Sequence, residues 1–248
     1  MSGGTDYGRD GMVGIGTPQA NPTVEAEMAI LLPPTVQRVT TRLTSAAVAS
    51  EDRLRAYLDR LDHALEAFDT LRPDVFGFAC TASSYLVAPQ HERDLVAAAE
   101  VRFGYPVITA AAAIAWKLRA LGARRIALVS PYPPALGQAA RDYWSAKGFA
   151  PVAVGAAPIA GSDTRGIYAL GTGDARAALA GLGDVSVDAI LITGTGMPSL
   201  PLIADPPPGM PPIVSSNLAL AEALLARLDR PFPDWRARCR AATEGPIS

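Results

Sequence analysis

The sequence is poor in the side chains on which metal sites and Schiff-base cofactors depend. In 248 residues it has only two each of cysteine, histidine and lysine: Cys80, Cys239, His63, His91, Lys117 and Lys147. No HExxH or CxxC motif groups them, so a Cys/His metal site is not expected. Both lysines fall in predicted helix bodies, which argues against a Schiff base. Two cysteines make no disulfide framework, and we expect reduced thiols in a cytoplasmic protein.

Nucleotide-binding and hydrolase motifs are missing as well. The chain has neither the GxSxG elbow of serine hydrolases nor the GxxxxGK[ST] phosphate loop. The stretch GIGTPQ (14–19) begins like a dinucleotide fingerprint but has Gln19 where the third glycine belongs. We therefore predict that the protein uses no cofactor.

Charge and hydropathy exclude two classes of partner. The formal net charge is −2 and no basic stripe is interleaved with aromatic residues, so no nucleic-acid partner is expected. The longest apolar run, PVITAAAAIAW (106–116), is too short to cross a bilayer, so no membrane partner is expected. Residues 1–10 are polar and lack the apolar core of a secretory signal, which predicts a flexible tail.

What is present is the alternating pattern of parallel α/β structure. Short β-rich runs alternate with longer Ala/Leu/Arg segments of helical period. Six strands are predicted, at 12–17, 75–80, 106–109, 125–130, 189–193 and 212–216. Helices are predicted between them, including 51–71 and 92–104, and the second of these ends at Gly104, a favourable residue for a C-terminal cap.

Three segments in the first part of the chain resemble three later segments, in the same order. The matched pairs are GIGTPQ (14–19) with ALVSPY (127–132), FGFACT (76–81) with LITGTG (191–196), and the strand–helix segments 105–122 and 211–228. The alternative explanation is chance similarity between generic α/β patterns. The common order favours two copies of one α/β unit.

Two copies of one unit predict an α/β protein with two pseudo-symmetric parallel-sheet halves. Residues 11–117 and 218–248 would form the first half, and residues 118–217 the second. Ligands bind outside the carboxyl ends of parallel strands, so the active site is expected in the cleft between the halves. Four loops would define it: TPQANPT (17–23), CTASS (80–84), SPYPP (130–134) and GTGMPS (194–199).

Cys80 is the candidate catalytic residue. It directly follows the predicted strand and precedes small and hydroxyl residues, where backbone N–H groups favour a thiolate. Taken alone, a free cysteine at this point is more often a small buried hydrophobic residue. Its place in a repeated cleft loop favours the catalytic interpretation.

Two polar residues of the other loops could bind a carboxylate. Asn21 precedes a predicted helix start, so it could cap the helix, donate its amide to a carboxylate, or partly do both. Tyr132 lies between Pro131 and Pro133 in a stiff loop, where it is either a surface aromatic or a phenolic donor to the cleft.

The remaining candidates come from the loops around these residues. Gly194 and Gly196 would let the backbone approach a ligand closely, with Thr195 adding a hydroxyl, although a plain turn explains the glycines equally well. Arg165, in SDTRG, is either a solvated surface group or a partner for an acid. The full set of expected substrate- or oxyanion-binding residues comprises Pro18, Asn21, Thr81, Ala82, Ser83, Tyr132, Gly194, Thr195 and Gly196, with Arg165 as a further carboxylate partner.

The segments GIGTPQANPTVEAEM, FGFACTASS, LVSPY and ILITGTGMPSL resemble the aspartate/glutamate racemase superfamily, in particular its maleate cis–trans isomerase and arylmalonate decarboxylase branch. The resemblance covers about Gly11 to Arg227. It implies a cofactor-free enzyme in which one cysteine from each half reaches a cleft that binds a small carboxylic acid. It also implies that Asn21 and Tyr132 bind carboxylate as in the isomerases, and that Thr81 and Tyr132 are hydroxyl donors as in the decarboxylase.

The sequence departs from this pattern at one position. Cys80 takes the first cysteine position, but the second falls on Gly194. Two-base racemisation needs an acid or base on each face of the substrate, so amino-acid racemase activity is not expected. One thiol is enough for decarboxylation of a malonate-type acid with Cys80 as proton donor, or for cis–trans isomerisation of an enedioate with Cys80 as nucleophile.

We place decarboxylation of a small dicarboxylic acid first, because the second acid is missing at Gly194. Cis–trans isomerisation is the alternative within the enzymes, and a non-catalytic protein that binds a carboxylic acid is the alternative outside them. The sequence leaves the substituent on the acid and the number of subunits open, so it is compatible with a homo-oligomer.

Overall fold

The computed structural model describes residues 6–243 as an α/β protein with two four-stranded parallel sheets. The first sheet consists of β1 (Met12–Pro18), β2 (Gln37–Leu43), β3 (Val75–Phe78) and β4 (Val107–Thr109) in the order β2-β1-β3-β4. The second consists of β5 (Arg125–Ser130), β6 (Ala150–Ala156), β7 (Ala189–Ile192) and β8 (Ile213–Ser215) in the order β6-β5-β7-β8.

Helices connect the strands, as crossovers between parallel strands require. Those of the first half are α1 (Thr23–Leu31), α2 (Ser50–Asp59), α3 (Leu61–Glu66), α4 (Thr81–Tyr85), α5 (Pro89–Phe103) and α6 (Ala110–Ala120). The rest are α7 (Pro134–Ala146), a 3₁₀ helix (Thr164–Ala169), α8 (Thr172–Ala180), α9 (Leu200–Ala204), α10 (Ser216–Arg227) and α11 (Arg236–Thr243). Within residues 6–243 no helix is long and apolar enough to cross a membrane.

The strand order confirms the predicted pair of pseudo-symmetric halves. Each sheet places its strands in the same order, so β1, β3 and β4 correspond to β5, β7 and β8, as the sequence repeats predicted. The predicted halves are residues 11–117 with 218–248, and residues 118–217. Their boundaries fall within α6 and α10, and these two helices pack against each other. Residues 1–5 of the predicted flexible tail lie outside the described residues. At the end of that tail, the backbone N–H of Asp10 donates a hydrogen bond to the carbonyl of Thr35.

The structure differs from the sequence-based prediction in two strands and in a break within one helix. The edge strands β2 and β6 were missed, because QRVTTRL is mostly polar and APVAVGA consists of small residues and a proline, with no large apolar side chain besides valine. Each is half-exposed at a sheet edge, so it lacks the bulky apolar pattern of a strand that is buried on both faces. The predicted helix 51–71 is two helices, α2 and α3, that meet at Arg60. Gly104 does end α5, in the left-handed conformation with φ of +77°.

The buried hydrophobic residues form one cluster that includes residues of both sheets and of the helices packed on them. The central strands β3 and β7 are buried along their whole length. On β3, a Cβ at Gly77 would lie 3.1 Å from the Leu224 side chain of α10, so glycine lets this helix pack directly on the strand. Packing on both faces fixes the strand ends, from which the loops of the candidate site emerge.

Candidate active site

The loops after β1, β3, β5 and β7 meet in one narrow cavity, as expected from the repeats. The space open to water within it is about 30 Å³, enough for one or two water molecules. The residues that line it are Pro18, Asn21, Leu54, Cys80, Thr81, Ala82, Tyr132, Thr164, Ile167, Tyr168, Gly194, Thr195 and Gly196. None of these side chains carries a formal charge at neutral pH, so the donors available in the cavity are hydroxyl, amide and backbone groups.

Cys80 lies at the start of α4 with its side chain 3% exposed. The Ser83 hydroxyl donates to its Sγ over 3.1 Å, and the backbone N–H groups of Ala82 and Ser83 also favour the thiolate. Burial outweighs these donors and raises the pKa of the thiol above its usual value. Cys80 is therefore a neutral S–H group at neutral pH, which suits a proton donor.

Gly194 forms the wall where the second thiol would lie in a two-cysteine cleft. Its φ is +88°, in the left-handed region that glycine adopts without strain. A Cβ here would lie 3.2 Å from Cγ of Pro131 and 3.4 Å from the Tyr132 hydroxyl oxygen. The phenolic group of Tyr132 thus lies beside the place that a second cysteine would occupy.

The Tyr132 hydroxyl is buried and has no hydrogen-bond partner among residues 6–243. Burial raises the pKa of Tyr132 far above its usual value, and a charged Cys80 would raise it further. The Thr81 and Thr193 hydroxyls lie close enough to lower this pKa by a smaller amount, although neither makes a hydrogen bond of standard geometry with it. A buried donor without a partner costs free energy, so it indicates a place for a ligand oxygen. Tyr132 is a neutral donor that faces the cleft.

Asn21 caps α1 and donates to Thr195 across the cleft, and its binding of a carboxylate stays a prediction. Its Oδ1 accepts from the backbone N–H of Thr23 at 2.9 Å, which satisfies a free donor of the first turn of α1. Its Nδ2 donates to Thr195 Oγ1 at 3.2 Å, and Thr195 Oγ1 donates to the carbonyl of Ala79 at 2.9 Å. These bonds join the two halves across the cleft.

Two predicted site residues do not line the cavity. Ser83 is fully buried behind Cys80 and acts on its sulfur. Arg165 is half-exposed, and its guanidinium donates to Asp163 Oδ2 through Nε at 2.9 Å and Nη2 at 2.5 Å. Because Asp163 already pairs with it, Arg165 is placed as a surface ion pair rather than as a partner for a bound acid.

The sequence profile of the arylmalonate decarboxylase family matches residues 13–234. This chain belongs to that family. A maleate isomerase of Nocardia farcinica (strain IFM 10152) is 31% identical to it over 231 residues, which cover 88% of this chain and 90% of the relative. Together they place the chain in the maleate isomerase and arylmalonate decarboxylase branch of the Asp/Glu racemase superfamily, as the sequence motifs indicated.

Solved structures of related proteins share the fold of this chain. The maleate isomerase of Pseudomonas putida S16 with bound maleate is 26% identical, with a TM-score of 0.75 over 89% of this chain and 92% of that one. A Nocardia farcinica maleate cis–trans isomerase with a covalently bound succinylcysteine intermediate is 25% identical, with a TM-score of 0.74 over 89% and 93%. These relatives are enzymes, and the second forms a covalent bond through cysteine.

Sequence reasoning missed one wall of the cavity. Leu54 of α2 and Thr164, Ile167 and Tyr168 of the 3₁₀ helix line it. A Cβ at Gly196 would lie 2.7 Å from the Tyr168 ring, so glycine permits this close approach. The segment SDTRGIY (162–168) carries Thr164, Ile167 and Tyr168 around Arg165. It lies outside the repeated strand ends, so the repeats did not point to it.

No group of three or more His, Cys, Asp or Glu side chains in residues 6–243 is arranged to hold a metal ion. The groups that the cavity lining offers are one thiol, the two phenols of Tyr132 and Tyr168, the Asn21 amide, threonine hydroxyls and backbone amides. Cys239, the other cysteine, is buried on α11 and does not line the cavity.

Proposed function

We propose that this protein is a cofactor-independent decarboxylase of a small malonate-type dicarboxylic acid, with Cys80 as the proton donor. The observation that supports it is a buried thiol with a raised pKa in a cavity that Gly194 and Tyr132 also line, with no second thiol among the lining residues. A neutral thiol delivers a proton to one face of a carbanion. Such an arrangement suits a one-acid reaction and offers no second thiol for two-base racemisation.

In the proposed reaction, the bond between the α-carbon and one carboxylate breaks and CO₂ leaves. The bonding electron pair forms an enediolate with the remaining carboxylate, and the S–H proton of Cys80 is transferred to the α-carbon. The thiolate then recovers a proton from solvent. The hydrogen bonds from Ser83 to the sulfur stabilise the thiolate formed in this step.

The enediolate needs hydrogen-bond donors where its negative charge develops. Tyr132 presents an unpartnered phenolic O–H. Thr81 Oγ1 lies 3.2 Å from Ser216 Oγ, and either oxygen can be the donor. If Ser216 donates, the Thr81 proton is directed to the ligand. These neutral donors replace the cationic group that carboxylate sites often use, consistent with a cavity lined by uncharged residues.

The apolar part of the wall, formed by Leu54 and Ile167 beside the hydroxyl-bearing Thr164 and Tyr168, fits the loss of a carboxylate. Leu54 and Ile167 are buried, line the cavity, and offer no donor to a carboxylate placed against them. Desolvation of a charged carboxylate beside such side chains favours its conversion to neutral CO₂. We infer that the departing carboxylate faces this wall and the retained one faces Tyr132.

A second candidate function is cis–trans isomerisation of a maleate-type acid, which the 31% identity to a maleate isomerase favours. The Cys80 thiolate would add to one alkene carbon, the central bond would become single and rotate, and elimination would give the trans acid. This route needs the thiolate at the first step. The raised pKa of Cys80 makes that form scarce, which is why we place decarboxylation first.

The test is an assay of the purified protein against substituted malonates and against maleate. We expect CO₂ release from a malonate and, in D₂O, one deuterium at the α-carbon of the product. Cys80→Ala should abolish turnover, and Cys239→Ala, at the cysteine away from the cavity, should leave kcat unchanged within about threefold.

Each other result contradicts the proposal in a distinct way. Fumarate formed from maleate without CO₂ release from any malonate would replace decarboxylation by isomerisation. Full turnover by Cys80→Ala would overturn both reactions. Thermal stabilisation by diacids with no turnover would favour the non-catalytic binding protein.

A further inference from the structure

Glu27 is a buried carboxylate outside the cavity, on α1, with 4% of its surface exposed. Its Oε1 accepts from the backbone N–H of Ser199 at 2.7 Å and of Leu200 at 3.1 Å, and the Ser199 hydroxyl donates to it at 3.2 Å. Its Oε2 accepts from Asn217 Nδ2 at 2.7 Å. Glu27 thus ties α1 to the end of the 194–199 loop and to α10.

Asn217 connects Glu27 with the cavity wall. Its Nδ2 also donates to the carbonyl of Thr195 at 3.0 Å, and the Thr23 hydroxyl donates to the carbonyl of Gly196 at 2.7 Å. Thr195 and Gly196 both line the cavity. In a trans peptide the N–H points opposite to the carbonyl, so fixing the Thr195 carbonyl fixes the direction of the Gly196 N–H.

We propose that Glu27 is a positioning residue that, through Asn217, fixes the Thr195–Gly196 peptide and with it the backbone donor that this wall presents to the substrate. The proposal rests on the proposed function, since it assigns to this wall a share in stabilising the enediolate. Glu27 itself lies outside the cavity and does not touch the substrate.

Burial raises the pKa of Glu27, and the hydrogen bonds from Ser199, Asn217 and Leu200 oppose that rise. Because these partners are all donors, position 27 has to offer acceptor oxygens to them. Asn217 Nδ2 contacts two acceptors, the Glu27 carboxylate and the Thr195 carbonyl. With glutamine at position 27, an amide N–H₂ facing Asn217 would meet another donor. Turning the Asn217 amide over would relieve that clash but place its oxygen against the Thr195 carbonyl. A glutamine whose oxygen faces Asn217 would keep that bond but would turn its N–H₂ toward the backbone N–H groups of Ser199 and Leu200. Each arrangement therefore breaks a hydrogen bond to the 194–200 segment, and burial makes the mismatch costly.

Glu92 offers a matched control, because it is equally buried and supports the other cleft loop. It accepts from Ser84 Oγ at 2.8 Å, Thr109 Oγ1 at 2.8 Å and the Tyr143 hydroxyl at 3.0 Å. All three partners are hydroxyl groups, which can accept as well as donate. Glutamine at position 92 can therefore keep its contacts. Around Glu27, by contrast, the backbone N–H groups cannot accept, and the Asn217 amide cannot turn over without losing its bond to the Thr195 carbonyl.

The experiment compares Glu27→Gln with Glu92→Gln by hydrogen exchange and by kinetics. In Glu27→Gln we expect at least tenfold faster amide exchange in residues 194–200, with residues 80–86 unchanged. We also expect kcat to fall by about tenfold or more with KM within threefold. Glu27→Asp, which keeps the acceptor, should restore part of kcat, and Glu92→Gln should keep kcat within threefold.

Asn217→Ala gives a second test if Glu27→Gln does not fold. It removes the connection to Thr195 but leaves the Ser199 and Leu200 bonds on Glu27, so we expect the same loss of kcat, with faster exchange at residues 194–197 and not at Ser199 and Leu200. Unchanged exchange in 194–200 in both variants would overturn the proposal. A lower melting temperature with unchanged kcat would also overturn it. The exchange result needs no turnover, so it decides the proposal even if neither reaction is found.

Discussion

At the scale of single residues, the protonation of Cys80 reflects a balance between burial and hydrogen bonding. Burial raises the pKa of the thiol, and the Ser83 hydroxyl and two backbone N–H groups lower it. Because burial is the larger effect, the midpoint of the pH dependence of alkylation should lie above the usual thiol value of about 8.5. The same sign means that ionising Cys80 at high pH destabilises the fold.

Ser83→Ala tests this balance, because it removes the side chain that donates to Sγ. Loss of a hydrogen bond to the charged form should raise the pKa further and slow alkylation by iodoacetamide at pH 7.5 by up to about tenfold. Ser84→Ala is the control, since the Ser84 hydroxyl donates to Glu92 and not to the sulfur. Equal alkylation rates in Ser83→Ala and the parent protein would contradict this account.

Tyr132→Phe separates catalysis from stability. The hydroxyl has no partner among the described residues, so its removal should leave the melting temperature unchanged or raise it. If it stabilises the enediolate, kcat should fall by about 10²–10³-fold. The control is Tyr143→Phe, whose hydroxyl donates to buried Glu92; it should lower the free energy of unfolding by about 1–3 kcal/mol and keep kcat. A large loss of stability in Tyr132→Phe would contradict its assignment as an unpartnered donor.

At the scale of elements, the repeated β–α units depend on close contacts between helix and strand. On β6, a Cβ at Gly155 would lie 1.9 Å from the backbone carbonyl oxygen of Ala178 on α8 and 2.8 Å from its carbon. Backbone atoms of a helix cannot yield as a flexible side chain can. Gly155 therefore sets the distance between the edge strand of the second sheet and the helix that covers it.

Gly155→Ala should force α8 away from the sheet and lower the free energy of unfolding by about 3 kcal/mol or more. The matched control is Gly173→Ala on α8 itself, where a Cβ meets no atom within 4 Å. Alanine is the better helix former, so this control should stabilise by up to about 1 kcal/mol. Urea unfolding of both variants measures the difference, and equal stabilities would show that the contact of Gly155 is not limiting.

At the scale of the whole molecule, the two halves are joined beside the cavity by Arg53 and Asp163. Arg53, on α2, is 3% exposed, and its Nη2 lies 2.7 Å from Asp163 Oδ1 just before the 3₁₀ helix. The adjacent residues Leu54 and Thr164 line the cavity. Hydrogen bonds from Arg165, with Arg53 also contributing, hold the pKa of Asp163 well below its usual range.

Asp163→Asn should leave buried Arg53 without a carboxylate and lower the free energy of unfolding at pH 7. Asp163 is partly exposed, so we expect about 1–2 kcal/mol rather than the 3–5 kcal/mol of a fully buried pair. Because the folded pKa is depressed, this contribution is present above pH ~4 and is lost as pH falls toward the folded pKa. The loosened wall should also speed alkylation of Cys80.

The control for this pair is Arg165→Ala, which removes only the exposed partner of Asp163. It should leave the stability close to that of the parent protein, because exposed ion pairs contribute little. Urea unfolding between pH 3 and 7 measures both variants. Equal stability of Asp163→Asn and the parent at pH 7 would contradict a joining role for the pair.

The repeats made much of the fold and part of the site predictable. Apolar strands such as β3 and β7 are recognisable because both faces are buried, whereas β2 lies at an edge and has too few apolar residues. Cys80 and Tyr132 were found because strand ends of parallel sheets collect ligand-binding residues. Ile167 was not, because its 3₁₀ helix belongs to a connection outside the repeated segments.

The sequence alone determined the doubling of the chain and the single thiol of the cleft, because both are properties of residue identity and spacing. The tertiary structure decided that Cys80 is neutral, that Arg165 pairs with Asp163, and that the Tyr132 hydroxyl has no partner among the described residues. Burial and hydrogen bonding depend on residues far apart in the chain. Thr195, for example, donates to the carbonyl of Ala79 across 116 positions, and only folding brings them together.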